Sequence, residues 1–242
     1  MRKSAFICIQ FCKQLKKEFK KILEKMLMNK ESQQAFARVN VSFPPLSSIS
    51  VCIRVQWNPE WNEVSTIFSY AAPVFTNEFQ LRGQVDMQGR ILLALIIHGK
   101  HLPYKASFKN DGAWHHICVM WRRSRGHWAI YVDGDRKDMG SGMETFRDIF
   151  GEGILILGQD QDSFGGNFTE PFYGNITDLN VWNMSLEKRH KTYQWLVKAG
   201  LKGQHRGTDN GSTRTELEHK INTGRGLPHQ TGPKVQTVQR CP

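Results

Sequence analysis

The sequence predicts a centre built as an all-β, two-sheet antiparallel sandwich of jelly-roll type with one short helix, bracketed by a basic N-terminal amphipathic helix and a disordered polar tail. Three observations support this: hydrophobicity alternates with period two through many short segments, glycine-bearing turns separate them, and both features stop near the two ends. The divisions fall at residues 1–34, 35–200 and 201–242.

From Lys13 to Lys30, Leu15, Phe19, Ile22, Leu23, Met26 and Leu27 recur at helical spacing, with lysines on the opposite face. A peripheral or self-associating helix is expected there. At Val51 the period changes: Val51, Ile53, Val55 and Trp57 alternate with Cys52, Arg54 and Gln56, as a half-buried strand requires. Further strands are expected over residues 65–71, 79–85, 90–98, 114–122, 127–132, 154–157 and 173–182. The turns Asp86-Met87-Gln88-Gly89, Ser124-Arg125-Gly126 and Asp133-Gly134 each place glycine where a hairpin needs positive φ. Short strands without intervening helices favour stacked antiparallel sheets, because parallel neighbours need long crossovers. Ser185 can cap a closing helix over Leu186 to Lys198, with Gly200 as its stop. From Leu201 onward, polar residues and glycine dominate and periodicity is lost.

The formal charge of +11 sits at the ends: residues 1–34 carry +6, residues 199–242 carry +4, and the middle only +1. A folded nucleic-acid binder carries its positive patch on the folded surface, so no nucleic-acid partner is expected. Five sequons, at Asn40, Asn167, Asn175, Asn183 and Asn210, point instead to glycosylation on a secretory route. An extracellular or secreted location follows, and there a disulfide persists. Met1-Arg2-Lys3 and the apolar Ala5 to Ile9 resemble the start of a signal peptide, but Gln10 interrupts the run and no small-residue cleavage site follows. No run reaches the ~18 to 20 apolar residues that cross a bilayer, which reads as a soluble chain.

Cys52 and Cys118 each lie opposite the apolar face of their own strand. If the strands are neighbours a bridge is sterically natural; otherwise the two are separate buried thiols. Enzyme chemistry is not expected. A glycosidase needs two carboxylates across a sugar site, and no strand carries alternate acidic residues. His115 and His116 beside Cys118 read as strand histidines, one packed near a disulfide, while His98 and His101 read as surface residues beside a Gly-Lys turn. Trp57, Trp121, Trp128 and Trp182 read as core anchors, and Trp61 as an exposed candidate for ligand contact.

His116-Ile117-Cys118-Val119-Met120-Trp121 resembles the pentraxin signature HxCx[ST]W, with Met120 in the hydroxyl position. Ile156 to Phe168, with Gln159-Asp160-Gln161-Asp162-Ser163-Phe164-Gly165-Gly166 at its heart, is similar to the pentraxin calcium loop, and Phe68 to Ala71 and Trp128 to Gly134 match in order. The resemblance covers residues 40–200. It implies a flattened jelly roll of legume-lectin type, a Cys52–Cys118 disulfide, and a module that recognises an extracellular ligand such as an anionic head group, a glycan or a protein, with homo-oligomers among its forms.

It also implies calcium ligands: Asp160, the Gln161 carbonyl and Asp162 from the loop, joined by Asn77 from a distant connection. Thr76 stands where the family has an aspartate, Thr169 replaces the glutamate of a second ion with Glu170 directly after it, and a further glutamine has no counterpart. Glu78 is a nearby spare. Since lost anionic ligands lower cation affinity, the expectation is one weakly held Ca2+ ion, or a structural and adhesive module that has lost calcium binding. A glycan at Asn167 would crowd the loop.

Overall fold

A computed structural model of the chain describes residues 26–28, 36–39, 42–186 and 234–235. Its strands begin with β1 (Met26–Met28), β2 (Ala37–Val39), β3 (Ser48–Trp57), β4 (Ser65–Ala72), β5 (Phe75–Val85) and β6 (Arg90–Ile97). They continue with β7 (Lys100–His101), β8 (Ala106–Lys109), β9 (Trp114–Arg122), β10 (His127–Val132) and β11 (Asp135–Gly140). The last are β12 (Ile154–Leu157), β13 (Asp160–Ser163), β14 (Gly166–Thr169), β15 (Gly174–Trp182) and β16 (Lys234–Val235). One sheet has the order β1-β15-β3-β9-β10-β11; the other runs β16-β2-β12-β4-β5-β6-β7, with β8 also on β6. Pairing is antiparallel throughout except between β16 and β2.

The alternation read in the sequence is what joins the layers. Val51, Ile53, Val55, Trp57, Ile117, Val119 and Trp121 of the first sheet share one buried cluster with Phe68, Tyr70, Phe79, Leu81, Leu93 and Leu95 of the second. Each fully buried side chain of this size contributes roughly 1.5 to 3 kcal/mol. The opposite face of β3 and β9 holds a smaller cluster of Cys52, Cys118, Met120, Ala129, Tyr131, Trp182 and Leu186. Cys52 faces Cys118 directly in the ladder, their Cα atoms are 4.1 Å apart, and the two are bonded. Among the turns, the Asp86 carboxylate accepts from the Gln88 and Arg90 amides at 2.9 and 2.8 Å while Gly89 supplies φ +70°.

The sequence expectations change first in the two flanking segments. Met26–Met28, the end of the expected amphipathic helix, pairs as a strand with Gly174 to Ile176, because the open edge of β15 offers backbone partners that helical periodicity does not encode. The rest of that helix, and the closing helix beyond Leu186, lie outside the described residues. Within the tail expected to be disordered, Lys234–Val235 forms a short parallel pairing with β2. Strands β2, β7, β8 and β11 escaped the sequence reading, being short or carrying charged and glycine residues that break the apolar alternation.

His98, expected at the surface, is buried. Its left-handed backbone (φ 48°) turns the ring inward between Trp121 and Phe146, with centroids at 5.3 and 5.5 Å. Burial, with help from the Arg147 charge, pushes its pKa down to about 4. His116, whose Nε2 lies 3.7 Å from Cys118 Sγ, is likewise lowered to about 4, first by burial and then by Arg54. Trp61 is half-buried instead of exposed: its ring packs at a tilt against Tyr173, with centroids 3.9 Å apart, and it donates to Ser65 Oγ at 3.0 Å.

Two tests follow from this packing. Replacing Cys52 and Cys118 together by alanine is expected to lower stability by about 4 kcal/mol, the loop-closure contribution of a bridge spanning 66 residues, in urea denaturation. The depressed histidines set an acid limit. Their folded pKa lies below the unfolded value of ~6.5, so the stability present above that pH is lost as pH falls toward about 4. At pH 5 each costs about 2 kcal/mol, and His116→Gln is expected to reduce the fall in Tm between pH 7.5 and 5 by about 5 °C in scanning calorimetry.

Candidate functional site

The calcium-loop sequence forms a two-stranded hairpin, β13 with β14, in which Asp160 faces Thr169, Gln161 faces Phe168 and Ser163 faces Gly166. Phe164 and Gly165 make its tip, where Gly165 has φ +72° and an added Cβ would lie 2.9 Å from Ile154 Cδ1. Gln161 fastens the hairpin to the second sheet. Its Nε2 donates to the Ser69 carbonyl at 3.0 Å and to the Ile154 carbonyl at 3.1 Å, and its Oε1 accepts from the Gly165 amide at 3.2 Å. The Ser69 hydroxyl in turn donates to the Gln159 carbonyl at 2.8 Å.

Asp160 lies at the base of the hairpin, only 2% exposed, and not at its tip. Its carboxylate accepts from the Gln161 amide at 2.7 Å, from Gln80 Nε2 and from Arg82. The same guanidinium binds Glu170 at 2.9 Å and donates through Nε to Gln80 Oε1 at 2.9 Å. Glu170 reaches it from a left-handed backbone (φ 49°), with the Thr66 hydroxyl donating to its Oε2 at 3.2 Å. Burial raises the pKa of Asp160 and of Glu170, and Arg82 is the main force opposing that rise in both.

Two of the five ligands expected from the sequence, Asp160 and Glu170, therefore converge on one side chain, Arg82. Asp162 is exposed on the hairpin, opposite Asn167. Asn77 precedes Gln80 by three residues on β5, about 10 Å at the usual strand rise. Its side-chain oxygen is buried and, among the described residues, has no hydrogen-bond partner. Glu78 is committed elsewhere: fully buried, it accepts from Arg147 at 2.7 and 3.0 Å and from the Phe150 amide at 3.1 Å. The donor set thus fits calcium only in part, since an ion would compete with a guanidinium for Asp160.

Arg82 and Gln80 were missed by the sequence reading. The signal was present: in Phe79-Gln80-Leu81-Arg82 the polar pair occupies one parity of a strand whose other parity is core. Of the sequons, Asn167 and Asn183 are exposed, whereas Asn175 donates to Gln56 Oε1 at 2.7 Å from within β15. Asn40 and Asn210 lie outside the described residues.

His115 sits between Asp133 at 2.6 Å and Asp111 at 3.1 Å. Burial opposes its charge, but the two carboxylates outweigh burial and raise its pKa. Cys52, His116 and Cys118 cluster within 4.8 Å, but the sulfurs are bonded to each other and so offer no thiolate to a metal.

The model of the Pentaxin family matches residues 25–202. The human adhesion G protein-coupled receptor D2 is 36% identical over 163 residues, covering 66% of this chain and 17% of the receptor. Human neuronal pentraxin-1 is 35% identical over 155 residues, covering 62% of this chain and 34% of that protein. The chain therefore spans about a third or less of these relatives. Among solved structures, the native heptameric SAP-like pentraxin from Limulus polyphemus superposes with a TM-score of 0.61 at 25% identity, covering 69% of this chain and 79% of that one. The bonded Cys52 and Cys118, the hairpin at Asp160 and the family match over most of the chain agree, and this chain belongs to the pentraxin family.

Proposed function

We propose that the chain is an extracellular recognition module of pentraxin type in which Arg82 supplies the cation that calcium supplies elsewhere. One observation carries this reading: a single guanidinium holds both Asp160 and Glu170. Calcium needs six to eight oxygens, several of them anionic, and two of the available carboxylates are already neutralised within the protein. Binding fits the site better than catalysis, because carboxylates locked onto one arginine leave neither a free acid nor a free base across a substrate cleft. The ligand is an anionic head group, a glycan or a protein surface outside the cell. Assembly of like copies is proposed by analogy with the heptameric Limulus relative.

A second reading keeps one weakly held calcium ion on Asp162, the Gln161 carbonyl and Asn77. It is favoured by the unpartnered, buried Asn77 oxygen.

Calorimetric titration separates the two. For the Arg82 reading, millimolar calcium produces no heat and no Tm shift in the full chain, and a calcium-dependent rise in Tm that Asp162→Ala abolishes supports the second. Arg82→Ala strips the partner from a buried carboxylate and is expected to cost about 3 to 5 kcal/mol in the absence of calcium. Millimolar calcium is expected to restore part of that loss in the variant, read by thermal denaturation.

A further inference from the structure

We propose that Cys52, Cys118 and His116 form a binding site for a thiophilic divalent metal ion of the zinc type, masked while the disulfide is closed and opened when it is reduced. Among the described residues this is the one place where three histidine, cysteine or carboxylate ligand atoms lie within 4.8 Å of one another. The site lies on the reverse face of the first sheet, away from the Arg82 rim and independent of the function proposed for it.

The β3–β9 register builds the site. Cys52 stands opposite Cys118, and His116, opposite Arg54, precedes Cys118 by two residues and so shares its face of β9. His116 Nε2 lies 3.7 Å from Cys118 Sγ. Zinc holds sulfur at ~2.3 Å and imidazole nitrogen at ~2.0 to 2.1 Å in a tetrahedron, which sets its ligand atoms roughly 3.5 to 3.8 Å apart. The nitrogen–sulfur distance already falls in that range. The two sulfurs, held at bonding distance, need only part, and reduction does that. Cys52 and Cys118 are buried whereas His116 is half-buried, so a water completing four-coordination enters beside the imidazole.

The surroundings suit soft ligands. Met120, Ala129, Tyr131 and Trp182 pack with the cysteines, and an apolar shell disfavours a bare thiolate but not one neutralised by a metal. Burial and the Arg54 charge keep the His116 imidazole neutral at neutral pH, the form that ligates. Two thiolates cancel the charge of a divalent ion, and Arg54 is itself faced by Asp178 at 3.9 Å.

Opening and filling are separate steps. A dithiol reductant gives two electrons and two protons to the Cys52–Cys118 bond and leaves as its own cyclic disulfide; metal binding then releases the two thiol protons. Before the bond closes, or after it is reduced, the ion holds the β3–β9 alignment that the bond holds otherwise.

The experiment uses the full chain with Cys8, Cys12 and Cys241 replaced by serine, so that Cys52 and Cys118 are its remaining cysteines. The protein is reduced with dithiothreitol in urea, refolded and desalted without oxygen, then titrated with Co2+. One equivalent is expected to give the thiolate-to-cobalt charge-transfer absorption and the visible bands of tetrahedral cobalt, both removed by Zn2+. Zinc at ~100 times its Kd is expected to raise the Tm of the reduced protein by about 5 to 10 °C and to leave the oxidised protein unchanged. His116→Gln is expected to weaken Co2+ binding at least about tenfold. If that variant does not fold when oxidised, Cys52→Ser, which keeps Cys118 and His116, is expected to show at least the same loss. A cobalt spectrum without sulfur charge transfer, equal binding by the oxidised protein, undiminished affinity in the variants, or a reduced chain that zinc neither stabilises nor refolds would each overturn the proposal.

Discussion

The pairing of β3 with β9 is the constraint on which the rest is built. Its register runs unbroken from Ser48 opposite Arg122 to Gln56 opposite Trp114. Because side chains alternate along a strand, that register turns Val51, Ile53, Val55, Ile117 and Val119 toward the second sheet and leaves Cys52 facing Cys118 on the reverse. The same register sets Ser48 beside Arg122. A slip of one residue would expose the core and part the cysteines, so the covalent bond and the buried apolar surface reinforce one alignment.

The second sheet solves a different problem, that of a carboxylate removed from water. Asp160 is held at the base of the hairpin because Gln161 ties the next residue to Ser69 and Ile154. A buried anion there needs a cation and hydrogen-bond donors, or it takes up a proton. Arg82, Gln80 and the Gln161 amide meet that need within the chain. The hairpin can thus keep its shape with its charge satisfied internally, and this links the stability of the rim to what the rim can bind.

Arg82 is largely buried and faces two carboxylates, so it neutralises charge within the protein. Burial and pairing identify such a structural cation, and a count of basic residues does not. The whole central region carries almost no net charge.

Much of the sandwich was legible from the chain alone. Alternation in Val51 to Trp57 and Trp114 to Arg122, with glycine in the turns, specified strand positions because period-two burial is a local property of the backbone. The bridge and the hairpin that carries Asp160 were legible through motif resemblance. Partnership across sheets was not. That Arg82 answers Asp160 over 78 positions, that Glu78 is taken by Arg147, that His98 turns inward, and that Met26–Met28 joins an edge strand all depend on which segments become neighbours. Alternation states which side of a strand is buried. Only the folded packing of one sheet on another decides which charge lies beside which, because those contacts are made between residues far apart along the chain.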